Sequence, residues 1–157
     1  MLVNAGLKNR VIKLLATGLG SGLSPVAPGT CGTVVGVALC AASGMLAGSF
    51  RFLFTLAVAA AAIYIAGQAE ELYRKKDDRR IVIDEIAGFQ VAMAAVPVSW
   101  LNLCLAFALF RIFDIWKPLG INRLQNLPDG WGVVADDLGA GAYAAAILFF
   151  LRLTGVI

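Results

Sequence analysis

Five carboxylates stand where carboxylates are costly. Asp84 and Glu85 open one apolar segment, Asp114 closes another, and the pair Asp136-Asp137 opens a third. A carboxylate beside a stretch oily enough to enter a bilayer needs a partner, water or a metal. The chain has no histidine, and its three cysteines, Cys31, Cys40 and Cys104, are isolated. The donors are therefore oxygens alone, a set that suits a hard cation such as Mg2+. Crowded carboxylates raise one another's pKa and destabilise the fold unless a cation neutralises them. Such a cation keeps some of its waters, takes phosphate oxygens, and can polarise a phosphoryl group and position or activate a water. Arg111 and Lys117 lie three residues either side of Asp114. They offer phosphate a bidentate fork and a point charge; their plainer role is snorkelling to a membrane interface. Asp84 and Glu85 have a plainer role too, as first-turn acids that complement a helix dipole, and the same holds for one of Asp136 and Asp137.

A second group of polar atoms comes from the Gly/Pro/Ser/Thr stretch 18–33, which feeds directly into an apolar run. The free N–H groups of such a loop and the positive end of the following helix suit an anion, and Thr30, Gly32 and Thr33 are the phosphate-binding candidates. The stretch matches neither a P-loop nor a dinucleotide fingerprint, and taken locally a turn capped by Thr30 or Thr33 explains it better. Cys31 lacks the arginine that a cysteine-phosphatase loop needs, because position 37 is Val37.

The elements that must position these groups are apolar. The chain of 157 residues is 60% hydrophobic and 15% charged, with a mean hydropathy of +0.83. Soluble domains carry about 45–50% apolar and about 25% charged residues, so the composition predicts a single all-α, polytopic membrane domain over residues 1–157. The net charge of +3 forms no basic patch with interleaved aromatics, so no nucleic-acid partner is expected. Histidine-dependent catalysis and most zinc chemistry are excluded.

About four membrane-embedded segments are expected. Residues 1–17 predict an amphipathic helix with Leu7, Val11, Leu14 and Leu15 on one face, either lying on the membrane or capping the bundle. Spans are expected near Gly32–Gly48 and Phe52–Gly67, joined by a tight turn. Glu70, Glu71, Asp77 and Asp78 then fall in a solvated charge run whose five basic residues place it in the cytoplasm. Between Ile86 and Leu109 the chain is apolar but broken at Pro97. A re-entrant hairpin turning there would return Asp114 to the side of Asp84, as the basic residues Arg111, Lys117 and Arg123 favour. Residues 118–132 read as a loop, with Asp129 in a turn, and the last helix as about Asp136–Leu153.

Four segments in order then carry a resemblance: Pro25-x-x-Pro28-Gly29-Thr30-x-Gly32-Thr33; Asp84-Glu85-x-x-Gly88; Phe110-Arg111-x-Phe113-Asp114-x-x-Lys117-Pro118; and Gly132-x-x-x-Asp136-Asp137-x-x-Ala140-Gly141. Over about residues 18–145 the chain resembles the phosphatidylglycerophosphatase A family. The resemblance implies an all-helical, Mg2+-dependent phosphatase of the bacterial inner membrane, with its site facing the cytoplasm. Its substrate would be the bilayer lipid phosphatidylglycerophosphate, which loses its terminal phosphate to give phosphatidylglycerol. It also implies that Asp84, Glu85, Asp114, Asp136 and Asp137 are the catalytic or metal-binding acids. Leu119-Gly120 follows Lys117-Pro118 where the family often has another proline, which bears on the loop rather than the acids. A CDP-alcohol phosphotransferase would need an Asp-Gly-x2-Ala-Arg core that is missing here. The rival from another class is a small transporter or assembly protein whose intramembrane acids carry ions.

Overall fold

The computed structural model describes residues 2–46 and 48–157. Its α-helices are α1 (Leu2–Ala16), α2 (Pro28–Ser43), α3 (Gly48–Tyr73), α4 (Ile83–Ala92), α5 (Trp100–Trp116) and α6 (Asp129–Leu153), with 3-10 turns at Ser21–Leu23 and Pro118–Asn126. No strand occurs among the described residues.

The shortest helix is the centre. α4 has ten residues, and seven of them are buried, Asp84 and Gln90 included. α2, α3, α5 and α6 all pack against it. Two apolar clusters meet there. One joins Phe89 and Ala92 of α4 to Phe110 of α5 and Ala140, Ala144 and Leu148 of α6. The other joins Ala87 of α4 to Ala62, Ala66 and Ala69 of α3 and Ile12 and Ala16 of α1. Inside the bundle the Gln90 amide donates to the Gly36 carbonyl of α2 at 2.9 Å, so the buried polar side chain is paired rather than stranded.

α3 and α6, at 26 and 25 residues, are long and apolar enough to cross a membrane. α2, with 16 residues, spans about 24 Å, short of a ~30 Å hydrocarbon core. The four embedded segments expected from composition thus meet two helices of spanning length among the described residues. Several expected boundaries move. The first span begins at Pro28 rather than Gly32, because proline suits the first helical position. The second runs from Gly48 to Tyr73, well beyond Phe52–Gly67. Between Ile86 and Leu109 the chain breaks into α4 and α5, with a turn over residues 93–99 around Pro97. The Ser99 side chain caps α5 by accepting from the Asn102 N–H at 3.2 Å.

The expected loop 118–132 is mostly helical. Pro118–Asn126 forms 3-10 turns, and α6 starts at Asp129, seven residues before the expected start. α1 buries Ile12 and Ala16 and exposes Leu7, Val11, Leu14 and Leu15, so it rests on the bundle with its oily ridge facing outward.

Candidate active site

The close crossing of α4 and α6 builds the site. At the crossing Gly88 and Gly141 meet backbone to backbone. A Cβ on Gly88 would stand 2.6 Å from the Asp137 carbonyl oxygen and from a ring carbon of Phe110, and one on Gly141 would strike the Gly88 carbonyl. Small residues permit such contacts between helices in lipid. Asp84 and Asp137 each precede a crossing glycine by one helical turn, so the crossing delivers both acids to the same end. One oxygen each from Asp84, Glu85 and Asp137 can be chosen so that all three lie within 4.8 Å of one another. Asp84 and Asp137 are buried and Glu85 is half-buried. None of the three is ion-paired among the described residues, and Glu85 Oε2 is buried without a hydrogen-bond partner. A stranded acid oxygen beside two further carboxylates is a donor set that fits a hard cation.

The other two acids are held by cations. Arg111 Nη1 pairs with Asp114 Oδ2 at 2.5 Å and reaches the Thr33 hydroxyl at 3.5 Å. Lys117 pairs with Asp136 and lies 4.0 Å from Asp114. The Gln125 amide donates to the same Asp136 oxygen at 2.8 Å, and Asp136 Oδ1 has no partner among the described residues. Lys117 closes α5 in a left-handed conformation, φ 46°, where glycine is usual. Pro118 follows and cannot continue the helix. The strain is tolerated at a residue whose ammonium is thereby turned onto Asp136.

Both sets line one cavity of about 330 Å³. A further wall is the start of α2, where Gly29 lies directly against Glu85, so that a side chain there would collide with the carboxylate. All five acids, Arg111 and Lys117 therefore share one space, including Asp84 and Asp114 from opposite ends of the α4–α5 unit. Thr30, Gly32 and Thr33 do not line it. Gly32 packs on Val82, Thr33 is fully buried and donates to the Gly29 carbonyl at 2.9 Å, and Thr30 stands half-exposed on the first turn of α2.

Two readings of the acids need correction. Asp136 and Asp137 lie two turns inside α6 rather than at its N-terminus, so the helix dipole does not account for them. Asp78 is not solvated: it is 5% exposed and takes Arg80 Nε and Nη2 at 2.8 and 3.1 Å. The Arg80 hydrogen bond holds its pKa down at about 2, and burial only partly opposes that shift. Among the cavity residues not assigned to the site from sequence are Gln125, Gly29 and Arg79, the last an exposed cation at the rim. Arg79 was hidden within the charge run, and nothing in the local sequence of Gln125 separates it from other loop amides.

The family profile described as Phosphatidylglycerophosphatase A matches residues 14–152. A protein of that name from Escherichia coli (strain K12) is 34% identical over 140 residues, covering 88% of this chain and 81% of the relative. Its namesake from Haemophilus influenzae is 38% identical over 147 residues, covering 90% and 88%. A Bacteroides thetaiotaomicron protein named "Putative phosphatidylinositol-3-phosphatase" is 38% identical over 148 residues, covering 88% and 92%. No solved structure gives a significant match. The match runs through every helix that lines the cavity, and the chain belongs to the phosphatidylglycerophosphatase A family.

Proposed function

We propose that this chain hydrolyses the terminal phosphate monoester of phosphatidylglycerophosphate at the cytoplasmic face of the bacterial inner membrane, releasing phosphatidylglycerol and inorganic phosphate. The observation that carries the reading is the division of one cavity into two halves. Asp84, Glu85 and Asp137 stand unpaired on one side, while Arg111 and Lys117, held by Asp114 and Asp136, stand on the other. Mg2+ bound by Asp84, Glu85 and Asp137 would supply Lewis-acid stabilisation of the phosphoryl charge.

The side chains do the rest. Arg111 takes two phosphate oxygens with its fork and Lys117 neutralises a third, each exchanging part of its carboxylate contact for the substrate. Asp114 and Asp136 keep those cations aimed before substrate arrives, so little reorganisation is needed as charge develops. A water in line with the glycerol oxygen attacks phosphorus and gives its proton to a cavity carboxylate. The P–O bond to glycerol breaks, and the glycerol oxygen leaves as a hydroxyl by taking the proton that the carboxylate received from the water. Exposed Arg79 at the rim suits a headgroup with two phosphates entering from water.

The α4–α5 unit fits a re-entrant hairpin. Its turn carbonyls at Met93 and Val96 accept from Arg51, at 3.4 and 2.7 Å, and that at Ala95 accepts from Arg152 at 3.2 Å. Non-helical backbone at membrane depth needs such partners. The 38% identity to the Bacteroides protein supports a second reading, hydrolysis of a phosphoinositide monoester in the same cavity. Purified protein is offered phosphatidylglycerophosphate and phosphatidylinositol 3-phosphate, each with Mg2+ and with a chelator. Mg2+-dependent phosphate release from the first is expected. Release from the second alone would shift the substrate assignment, and no release from either would leave the ion-carrying alternative ahead.

A further inference from the structure

Beside the polar cavity runs an apolar groove of about 480 Å³, between the 3-10 segment Pro118–Asn126 and α6. Its walls are Ile121 and Leu124 on one side and Gly139, Ala142, Tyr143 and Ala146 on the other. The two spaces share their supports. In a 3-10 helix residues three apart stack, so Ile121 and Leu124 share one face while Gln125 points to another. Gln125 accordingly reaches Asp136 in the cavity, at 2.8 Å, while its neighbour Leu124 faces the groove. On α6, Asp136, Gly139, Tyr143 and Ala146 fall at i, i+3, i+7 and i+10, a single face that begins at a carboxylate and becomes apolar. Gly139 keeps the groove open: a Cβ there would already touch Leu124 Cδ1 at 3.3 Å and Ile121 at 3.7 Å. Tyr143 is braced by the Phe113 ring, with centroids 5.8 Å apart, and Phe113 directly precedes Asp114. From Gly139 to Ala146 the groove follows α6 for ~10 Å.

We propose that this groove seats one acyl chain of the lipid whose phosphate occupies the cavity, so that Gly139, Tyr143 and Ala146 set acyl-chain selectivity. The proposal rests on the lipid phosphatase reading above. The occupant follows from continuity: the groove opens one helical turn from Asp136, and a diacyl phosphomonoester has its charged and oily ends in that order. Its length and volume suit a single extended chain rather than a helix of a partner protein, which needs an interaxial gap of about 8–10 Å along its whole length.

Two measurements test it. The first is the ratio of kcat/KM for dioleoyl over dihexanoyl phosphatidylglycerophosphate in mixed micelles. Gly139→Leu and Ala146→Trp should lower that ratio about tenfold or more, because a chain kept out of the groove loses its packing contacts there and no longer positions the headgroup over the cavity. Leu56→Trp, on the exposed side of α3, should leave it as in the parent. The second does not need turnover. Dioleoyl phosphatidic acid with a mid-chain diazirine, in phosphatidylcholine vesicles, is photolysed with the parent protein, and the labelled peptides are mapped. Labelling concentrated on residues 121–124 and 139–146 supports the groove. An unchanged selectivity ratio in both variants, or labelling spread over the outer faces of α3 and α5, overturns it. Groove labelling by a parent that releases no phosphate from any lipid would keep the chain-binding groove and overturn the phosphatase reading instead.

Discussion

Lys117 concentrates the residue-scale physics. It pairs with Asp136 and holds a backbone conformation that costs a non-glycine residue about 1–2 kcal/mol. Lys117→Ala and Lys117→Gly should lose turnover alike, while the glycine variant melts higher than the alanine variant by about 1 kcal/mol. Equal melting would mean that the left-handed cap stores no strain. The acids divide in the same way. Asp84→Asn, Glu85→Gln and Asp137→Asn should abolish the rise in melting temperature with Mg2+, worth about 2.7 kcal/mol when the cation is at a hundred times its Kd. Asp136→Asn, whose side chain serves Lys117, should keep that rise and lose turnover. A Mg2+ response lost in Asp136→Asn and kept in Asp137→Asn would reverse the assignment. Asp78 offers a pH test away from the cavity. Its pKa is depressed from 3.8 to about 2 in the fold, so its pairing with Arg80 stabilises the protein above pH 3.8 and is lost as pH falls through about 2. Asp78→Asn should therefore lower the melting temperature by a few degrees at pH 7, and the gap to the parent should close as pH approaches 2. A constant gap would assign the effect to something other than the charge.

At the scale of elements, the crossing of α4 and α6 decides whether the acids meet. Gly88→Ala and Gly141→Ala press a methyl onto backbone carbonyls, where the neighbour cannot give way. Each should cost at least about 1–3 kcal/mol and reduce turnover more than stability explains, because Asp84 and Asp137 move apart. A normal specific activity in the folded fraction would sever the crossing from the chemistry. These same glycines show what could be read in advance. The five acids were legible singly, since a carboxylate next to an oily run needs a reason. Their grouping into a free trio and two cation-held residues was not, because it depends on which helix faces touch. The start of α6 was missed for a related reason. Gly130 and Gly132 look like loop punctuation, yet they are packing contacts, Gly130 against Ile63 and Gly67 of α3 and Gly132 against the carbonyl oxygens of Gln125 and Leu127. The chain reversal near Pro97 was legible because proline removes a helix hydrogen bond. The central position of α4 was not, since ten apolar residues can belong to a buried helix or to half of a span.

For the whole molecule, the charged loop and the 3-10 segment are drawn together: Lys76 Nζ donates to the Gln125 carbonyl at 3.2 Å. Cysteines placed singly at Lys76 and Asn126, in a chain cleared of Cys31, Cys40 and Cys104, should therefore be labelled from the same side of the membrane. Labelling from opposite sides would break the shared cavity. The position of α4 also bears on the order in which the protein is made. As the chain emerges, α4 carries two acids and has α1, α2 and α3 to lean on, but not yet α6. The Gly141 contact and the Arg152 hydrogen bond to Ala95 both come from α6, which follows α4 and α5 in the chain. Until then the carboxylates of α4 make immersion costly, so α4 and α5 stay unseated. A nascent chain stopped short of α6 should stay anchored through α3, which is long and apolar enough to cross a membrane, while residues 83–116 stay open to protease. The arrival of α6 is then the event that seats α4 and closes the cavity.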